Sequence, residues 1–202
     1  MAENVTDFEA FTHSKIIAYE TAVNFVKERK PSFDLVHILP GFMQGASELH
    51  ETVDDMLNDF NRATIDTALG NILNCPKMTA QVLLKDVAGM HLFALNPKVV
   101  HNLENLVVVA NDGHGIPWDS MALITKRCYP KEVEAGILRP IRGQKDLMMH
   151  FDVRSTEKAL GAGFSDAVWI VRSVIDQYLQ LRGSSISPDN AARSSAPSPE
   201  VK

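Results

Sequence analysis

Cysteine is scarce in this chain. Cys75 and Cys128 are the two among 202 residues and form no CxxC pair, which excludes a disulfide scaffold and predicts reduced thiols in an intracellular compartment. Long apolar runs are also missing. Although 45% of the residues are hydrophobic, no run reaches the roughly 18 residues that a membrane span needs. Basic excess is absent too: 20 Lys and Arg face 25 Asp and Glu, for a net charge of -5. That balance argues against nucleic acid or an acidic membrane surface as partner, since either requires a basic face. The opening "MAENVTDFEAF" carries no basic stretch followed by an apolar one, so no secretory signal is read. His37, His50, His91, His101 and His150 fall in no HxxxH or similar spacing, so no metal site is expected. These absences describe a soluble cytoplasmic protein.

The chain has enough apolar residues for one domain with a sizeable core. Residues 9–30 read as an amphipathic helix, with Ile16, Tyr19, Val23 and Val26 on one stripe. "KERK" at 27–30 suits its C-terminal end, where the dipole favours cations. "FDLVHIL" (33–39) reads as a strand buried on both faces and ending at Pro40-Gly41. Residues 47–71 read as mainly helical, with Leu49, Val53, Met56, Leu57 and Phe60 at helical spacing and Gly70 as the stop. "TAQVLL" (79–84) is a short strand. The helix 85–96 follows, with Val87, Met90 or His91, and Ala94 inward and Asp86 in its first turn.

"NLVVVAN" (105–111) reads as a second buried strand closed by Asp112-Gly113. The segment 117–130 is a helix opened by Pro117 and stopped by Pro130. "GILRPIRG" is an extended connector and "LMMHFDV" a short strand with Met148 and Met149 as core filling. "STEKALG" (155–161) opens on a capping-box-like Ser/Thr, and 166–181 is a strongly amphipathic helix. From 182 onward the Ser/Pro/Ala-rich composition predicts a disordered tail. The organisation expected is a flexible 1–8, a domain over 9–181 and the tail 182–202. Strands alternating with helices imply an α/β fold, yet two good strands and two lesser ones are few for the helices present.

Four stretches give that shortage a meaning: "FTHSKIIAYETAVNFV", "FDLVHILPGFMQG", "VLLKDVAGMHLFAL" and "FDVRSTEKALGAGFSDAVWIVRSVIDQYLQL". In this order they resemble the C-terminal half of an extended short-chain dehydrogenase/reductase. The subgroup is the dihydroflavonol, cinnamoyl-CoA and methylglyoxal reductase type of the NAD-dependent epimerase/dehydratase superfamily. The resemblance implies a partial Rossmann-like fold that lacks the N-terminal nucleotide-binding strands and keeps the substrate-side region. It implies NADP(H) as cofactor and hydride transfer to a small ketone or aldehyde. In such enzymes a Tyr acts as general acid, and a Lys four residues later lowers its pKa and binds the nicotinamide ribose. Residues i and i+4 share a helix face, and a cation there favours the phenolate.

Here Lys15 takes the Lys position, with Ser14 before it. Pro40 and Gly41 fall where the strand end meets the nicotinamide amide, and Asp86 falls on a structural "DVA" stretch. Phe11 stands in the Tyr position, and a phenyl ring has no proton to give. No G-x-G-x-x-G loop follows a strand, and "LGAGF" at 160–164 lies between two helices. The resemblance therefore implies a truncated reductase-like domain, or an incomplete gene product, with impaired hydride transfer. The alternatives are a non-catalytic paralogue or partner subunit, and a cofactor-independent isomerase or cyclase using the substrate-side pocket. The family pairs subunits through this helix, so a homo-oligomer or an intact reductase partner is expected there.

Other residues carry a sharp and a plain reading side by side. Lys15 is either a relic ribose ligand or a solvated helix lysine. His13 is a substitute acid/base on another side of the helix. Tyr19, at i+4 from Lys15, either reaches it or belongs to the core. His37 reads as a satisfied core residue. His114, Trp118 and Asp119 in "NDGHGIPWD" (111–119) are either a pocket rim or a turn and helix start.

Overall fold

The computed structural model of the protein describes residues 6–183. The expectations for residues 1–5 and for the tail from 184 onward lie outside the described residues. The first helix, α1 (Asp7–Arg29), starts earlier than its apolar pattern because Thr6 and Glu9 close a reciprocal capping box. Lys27 and Arg29 occupy its last turn and Lys30 ends it in the left-handed conformation. Tyr19, Ala22, Val23 and Val26 face the body. Ile16, assigned to the same stripe, is half exposed, as are its neighbours toward the N-terminus. The stripe runs past the end of the surface it covers.

Strand β1 (His37–Pro40) pairs parallel with β5 (Asn105–Val108), His37 opposite Asn105 and Pro40 opposite Val108. Strand β2 (Phe42–Gln44) pairs parallel with β4 (Gln81–Leu83). Between β1 and β2 stands Gly41, whose N–H donates to the Val108 carbonyl at 3.0 Å while the next N–H, of Phe42, donates to Ala80 at 2.7 Å. One extended stretch thus changes partner at a glycine. A third parallel pair joins β3 (Lys77–Met78) to β6 (Asp146–Leu147). The fold is α/β with parallel pairing, as expected, but β1 is only partly covered rather than buried on both faces.

The helix expected over 47–71 is two: α2 (Val53–Leu57) and α3 (Asn61–Leu69). Thr52 and Asp55 form the capping box that opens α2. Asp59 interrupts the run, its carboxylate accepting from the Asn61 N–H at 2.6 Å and meeting His50 Nε2 at 2.7 Å. Leu49 precedes α2 and is 87% exposed rather than inward. Gly70 ends α3 in the left-handed region as read. In α4 (Leu84–Phe93), Val87 and Met90 are buried and His91 is outward.

Helix α5 (Trp118–Cys128) follows Pro117, and Pro130 opens a further short helix, α6 (Pro130–Glu134), besides stopping α5. Proline suits a first helical turn as well as a stop. The "LMMHFDV" segment contributes only its first residue to β6, and Met148 and Met149 are largely exposed instead of filling the core. Helix α7 (Arg154–Leu160) begins at Val153 without a side-chain cap, so the Ser/Thr there do not play the capping role assigned to them. Helix α8 (Ala167–Leu181) is capped by Asp166, which accepts from the Val168 and Trp169 N–H groups. Its buried face, including Ile170, Val174, Ile175 and Leu179, packs with Met56, Ile65 and Met121 into one core. A second core joins Val82, Leu106 and Val108 of the sheet to Val87 and Met90 of α4.

Candidate functional site

The catalytic helix of the resemblance is α1, and its first half projects into solvent. Phe11 is 54% exposed, and the Lys15 Nζ lies 5.3 Å from its ring centroid. The i, i+4 spacing brings ring and cation together on one face as predicted. Their contact is a cation–π interaction at an exposed site, worth about 0.5–1 kcal/mol. The Ser14 hydroxyl donates to the Phe11 carbonyl at 2.7 Å, so it is engaged with its own helix. His13 is exposed on the same helix.

Tyr19 does not turn back to Lys15. Its hydroxyl shares two hydrogen bonds with the Asn105 side chain, at 2.9 and 3.3 Å, and its ring stands 4.5 Å from that of His37. It joins α1 to the β1–β5 pair while only partly buried, so it neither reaches Lys15 nor enters the core. His37 departs from its expected role: both ring nitrogens are buried without a hydrogen-bond partner.

Pro40 and Gly41 lie at the end of β1. A Cβ on Gly41 would stand 2.1 Å from the Ala80 carbonyl oxygen and 3.4 Å from the Val109 side chain. The glycine is thus required by strand packing, and its open side is filled by the protein's own backbone. Gly161 of "LGAGF" is the left-handed cap of α7 and no phosphate loop. Asp86 accepts from the N–H and hydroxyl of Ser165 at 2.7 and 2.9 Å. It ties the first turn of α4 to the segment before α8, which is the structural role expected.

The "NDGHGIPWD" stretch does not act as one rim. Asn111, Asp112, Gly113 and Gly115 all take positive φ, and the turn is stitched to its surroundings by the Phe151 N–H donating to Gly113 and the Ile116 N–H to Thr79. Trp118 is buried, with its indole N–H on the Lys77 carbonyl. Asp119 accepts from the Gly143 N–H at 2.7 Å and from Arg142, the former being the main reason its carboxyl is held below the usual range. His114 stacks on His150, ring centroids 4.1 Å apart, a pairing across 36 residues that no local pattern announces. Asn111, Asp112 and Ile116 do line a cleft of about 300 Å³ together with Glu157 and Phe164. Burial, with Asp112 nearby, pushes the Glu157 carboxyl up.

No family model matches the sequence. Among curated proteins, the chain is 32% identical over 178 residues to the ketoreductase CTB6 of Cercospora nicotianae, covering 85% of this chain and 49% of that one. It is 26% identical to the ketoreductase sphI of Aspergillus fumigatus, over 83% of this chain and 48% of the relative. In structure it resembles the yeast methylglyoxal/isovaleraldehyde reductase Gre2 complexed with NADPH, with a TM-score of 0.69 at 20% identity over 91% of this chain and 55% of that one. Vestitone reductase from alfalfa (Medicago sativa) gives 0.62 at 16% identity, over 88% and 54%. The fold is thus that of Rossmann-like reductases. In sequence the chain is similar to fungal ketoreductases, and it spans about half the length of the curated relatives it matches.

Proposed function

We propose that residues 9–181 form the C-terminal, carbonyl-side part of an NADP(H)-dependent ketoreductase, a region in which the proton-donating step has been lost. The observation that carries this reading is the Phe11–Lys15 pair: the lysine holds the family's spacing and still faces a ring at 5.3 Å, but the ring bears no hydroxyl. Reduction of a ketone needs a proton at the carbonyl oxygen as hydride arrives. His13 is near in sequence but two residues round the helix from Phe11, so it does not share that face. The substrate class under this reading is a small ketone or aldehyde. Under this reading the cofactor, when bound, supplies the hydride, and Lys15 would meet its ribose. The exposed first half of α1 is also the surface through which a second copy or an intact reductase would associate.

Titration of the purified chain with NADPH, followed by cofactor fluorescence and calorimetry, tests the reading. The expected result is no saturable binding at micromolar cofactor and no NADPH consumption with a ketone panel. Micromolar binding, roughly 8 kcal/mol, lost in Lys15→Met and accompanied by turnover, would overturn the loss of catalysis. A gain of turnover in Phe11→Tyr over the parent chain would show directly that the missing hydroxyl is the defect.

A further inference from the structure

Strand β1 is paired on one side only. Among the described residues its sheet holds β1 and β5 and nothing beyond them. The N–H groups of His37 and Gly41 both donate toward the β5 side, to Glu104 and Val108. Backbone groups alternate in direction along a strand, so those of Val36 and Ile38 point away from β5. Among the described residues no backbone or side-chain partner meets them there. Open N–H and C=O groups template further pairing, and proteins usually blunt such an edge with charge or proline. Here Pro40 ends the edge, and no Lys, Arg, Asp or Glu stands within 35–40. Two more features lie on this strand: Leu39 is 39% exposed, and both His37 ring nitrogens are buried without a partner.

The edge is complementary to itself in one register. Set antiparallel about a two-fold axis at His37, Val36 of each copy faces Ile38 of the other. Each such pair exchanges both of its N–H···O bonds, so every positive N–H end meets a negative carbonyl end. Pro40, which has no N–H to offer, falls beyond these pairs. Leu39 falls opposite Leu35, which gives the exposed leucine a cross-strand partner. His37 falls opposite His37 at a non-hydrogen-bonded pair, where the Cα atoms stand about 4.5 Å apart and side chains are closest. A neutral imidazole donates from one ring nitrogen and accepts at the other, so each orphaned ring gains a partner in its own copy. Centring on Val36 would set His37 against Leu35, and centring on Ile38 would set Val36 against the proline. In a parallel pair the slanted bonds leave the two strands inequivalent, so no closed two-fold pair forms.

We propose that β1 pairs with β1 of a second copy of this chain, antiparallel and centred on His37. The two β1–β5 pairs then become one four-stranded sheet, and a two-stranded pair is the arrangement that is marginal alone. The joint is short, so its area falls below the roughly 1,200 Å² of standard interfaces, and a weak, micromolar-range dimer is expected. This surface is separate from α1. The proposal goes beyond the reductase reading and stands apart from it, because association and nucleotide binding are read in separate experiments.

The test is sedimentation of the full chain from micromolar to millimolar concentration, with amide exchange followed by NMR. The expected result is a reversible monomer–dimer equilibrium in which the Val36 and Ile38 amides become protected as the dimer forms. Leu39→Lys places a charge at the joint and should raise the dissociation constant about 10-fold or more, with helix content unchanged by circular dichroism. Ile17→Glu, at an exposed position of α1, should leave the equilibrium as it is. In a chain carrying Cys75→Ser and Cys128→Ser, His37→Cys should crosslink two copies under mild oxidation, because the paired Cα distance lies within disulfide range. Ile38→Cys should not crosslink. A monomer at every concentration, with both amides exchanging freely, would overturn the proposal and leave the edge to a strand of another chain. So would a dimer that Leu39→Lys leaves intact or that Ile17→Glu disrupts. Crosslinking through Ile38→Cys and not through His37→Cys would overturn the register.

Discussion

Substitution of Gly41 by alanine tests whether strand packing is what demands a glycine at the end of β1. The added Cβ would lie 2.1 Å from the Ala80 oxygen and 3.0 Å from its carbonyl carbon. Ordinary contact requires more than an ångström of movement from backbone that is 2% exposed. That same oxygen accepts the Phe42 N–H at 2.7 Å, so the movement also strains the bond that begins the β2–β4 pairing. Overpacking of this kind costs about 1–3 kcal/mol, and a buried hydrogen bond left unmade about 1–3 kcal/mol more. We expect Gly41→Ala to destabilise the chain by about 3 kcal/mol, or roughly 6–12 °C in Tm for a chain of this size. Thermal and urea unfolding would measure it. Gly89→Ala is the comparison: in α4 nothing lies within 4 Å of its added Cβ, and a gain of about 0.5–1 kcal/mol is expected from helix propensity. If the two variants unfold alike, the packing account of Gly41 is wrong.

Three further outcomes follow from the geometry. Asn61→Ala removes a buried side chain that accepts from the Gly45 N–H and donates to the Gly45 carbonyl, both at 2.8 Å; urea unfolding should show a loss of about 2–3 kcal/mol. Burial raises the Asp176 carboxyl above its usual value despite the hydrogen bond from Tyr129 at 2.7 Å. The folded state therefore favours the protonated form, and its contribution is present at acid pH and lost as pH rises past the carboxylate range. Asp176→Asn should consequently raise Tm relative to the parent at neutral pH, with the difference vanishing near pH 3. The Lys77 amine is buried without a hydrogen-bond partner beside the Trp118 ring, and burial lowers its pKa. Here the unfolded chain binds the extra proton, so stability rises with pH. Lys77→Met should be stabilising at neutral pH, and the gain should shrink toward pH 10 in thermal scans.

Much of the candidate site was legible because its logic is local. Phe11 and Lys15 meet through helical spacing alone, ring and cation 5.3 Å apart. Asp86 was placed in the first turn of its helix by sequence, but its partner Ser165, 79 residues away, was not. His37 shows the limit most clearly: an apolar strand suggested a satisfied histidine, and only the tertiary fold left both ring nitrogens buried without a hydrogen-bond partner, beside the Tyr19 ring. The break in the 47–71 helix escaped for a related reason, since Asp59 earns its place through His50 and Asn61, and propensity carries no trace of that arrangement.

By itself the sequence determined the helices with strong periodicity, the parallel-strand character of the apolar runs and the pairing of Phe11 with Lys15 on one helix face, because each depends on residue type at short spacing. The tertiary structure decided what long-range packing decides. It made Gly41 the point where one strand changes partner, and it bound Trp118 and Asp119 into the scaffold instead of a pocket rim. It also left the first half of α1 uncovered.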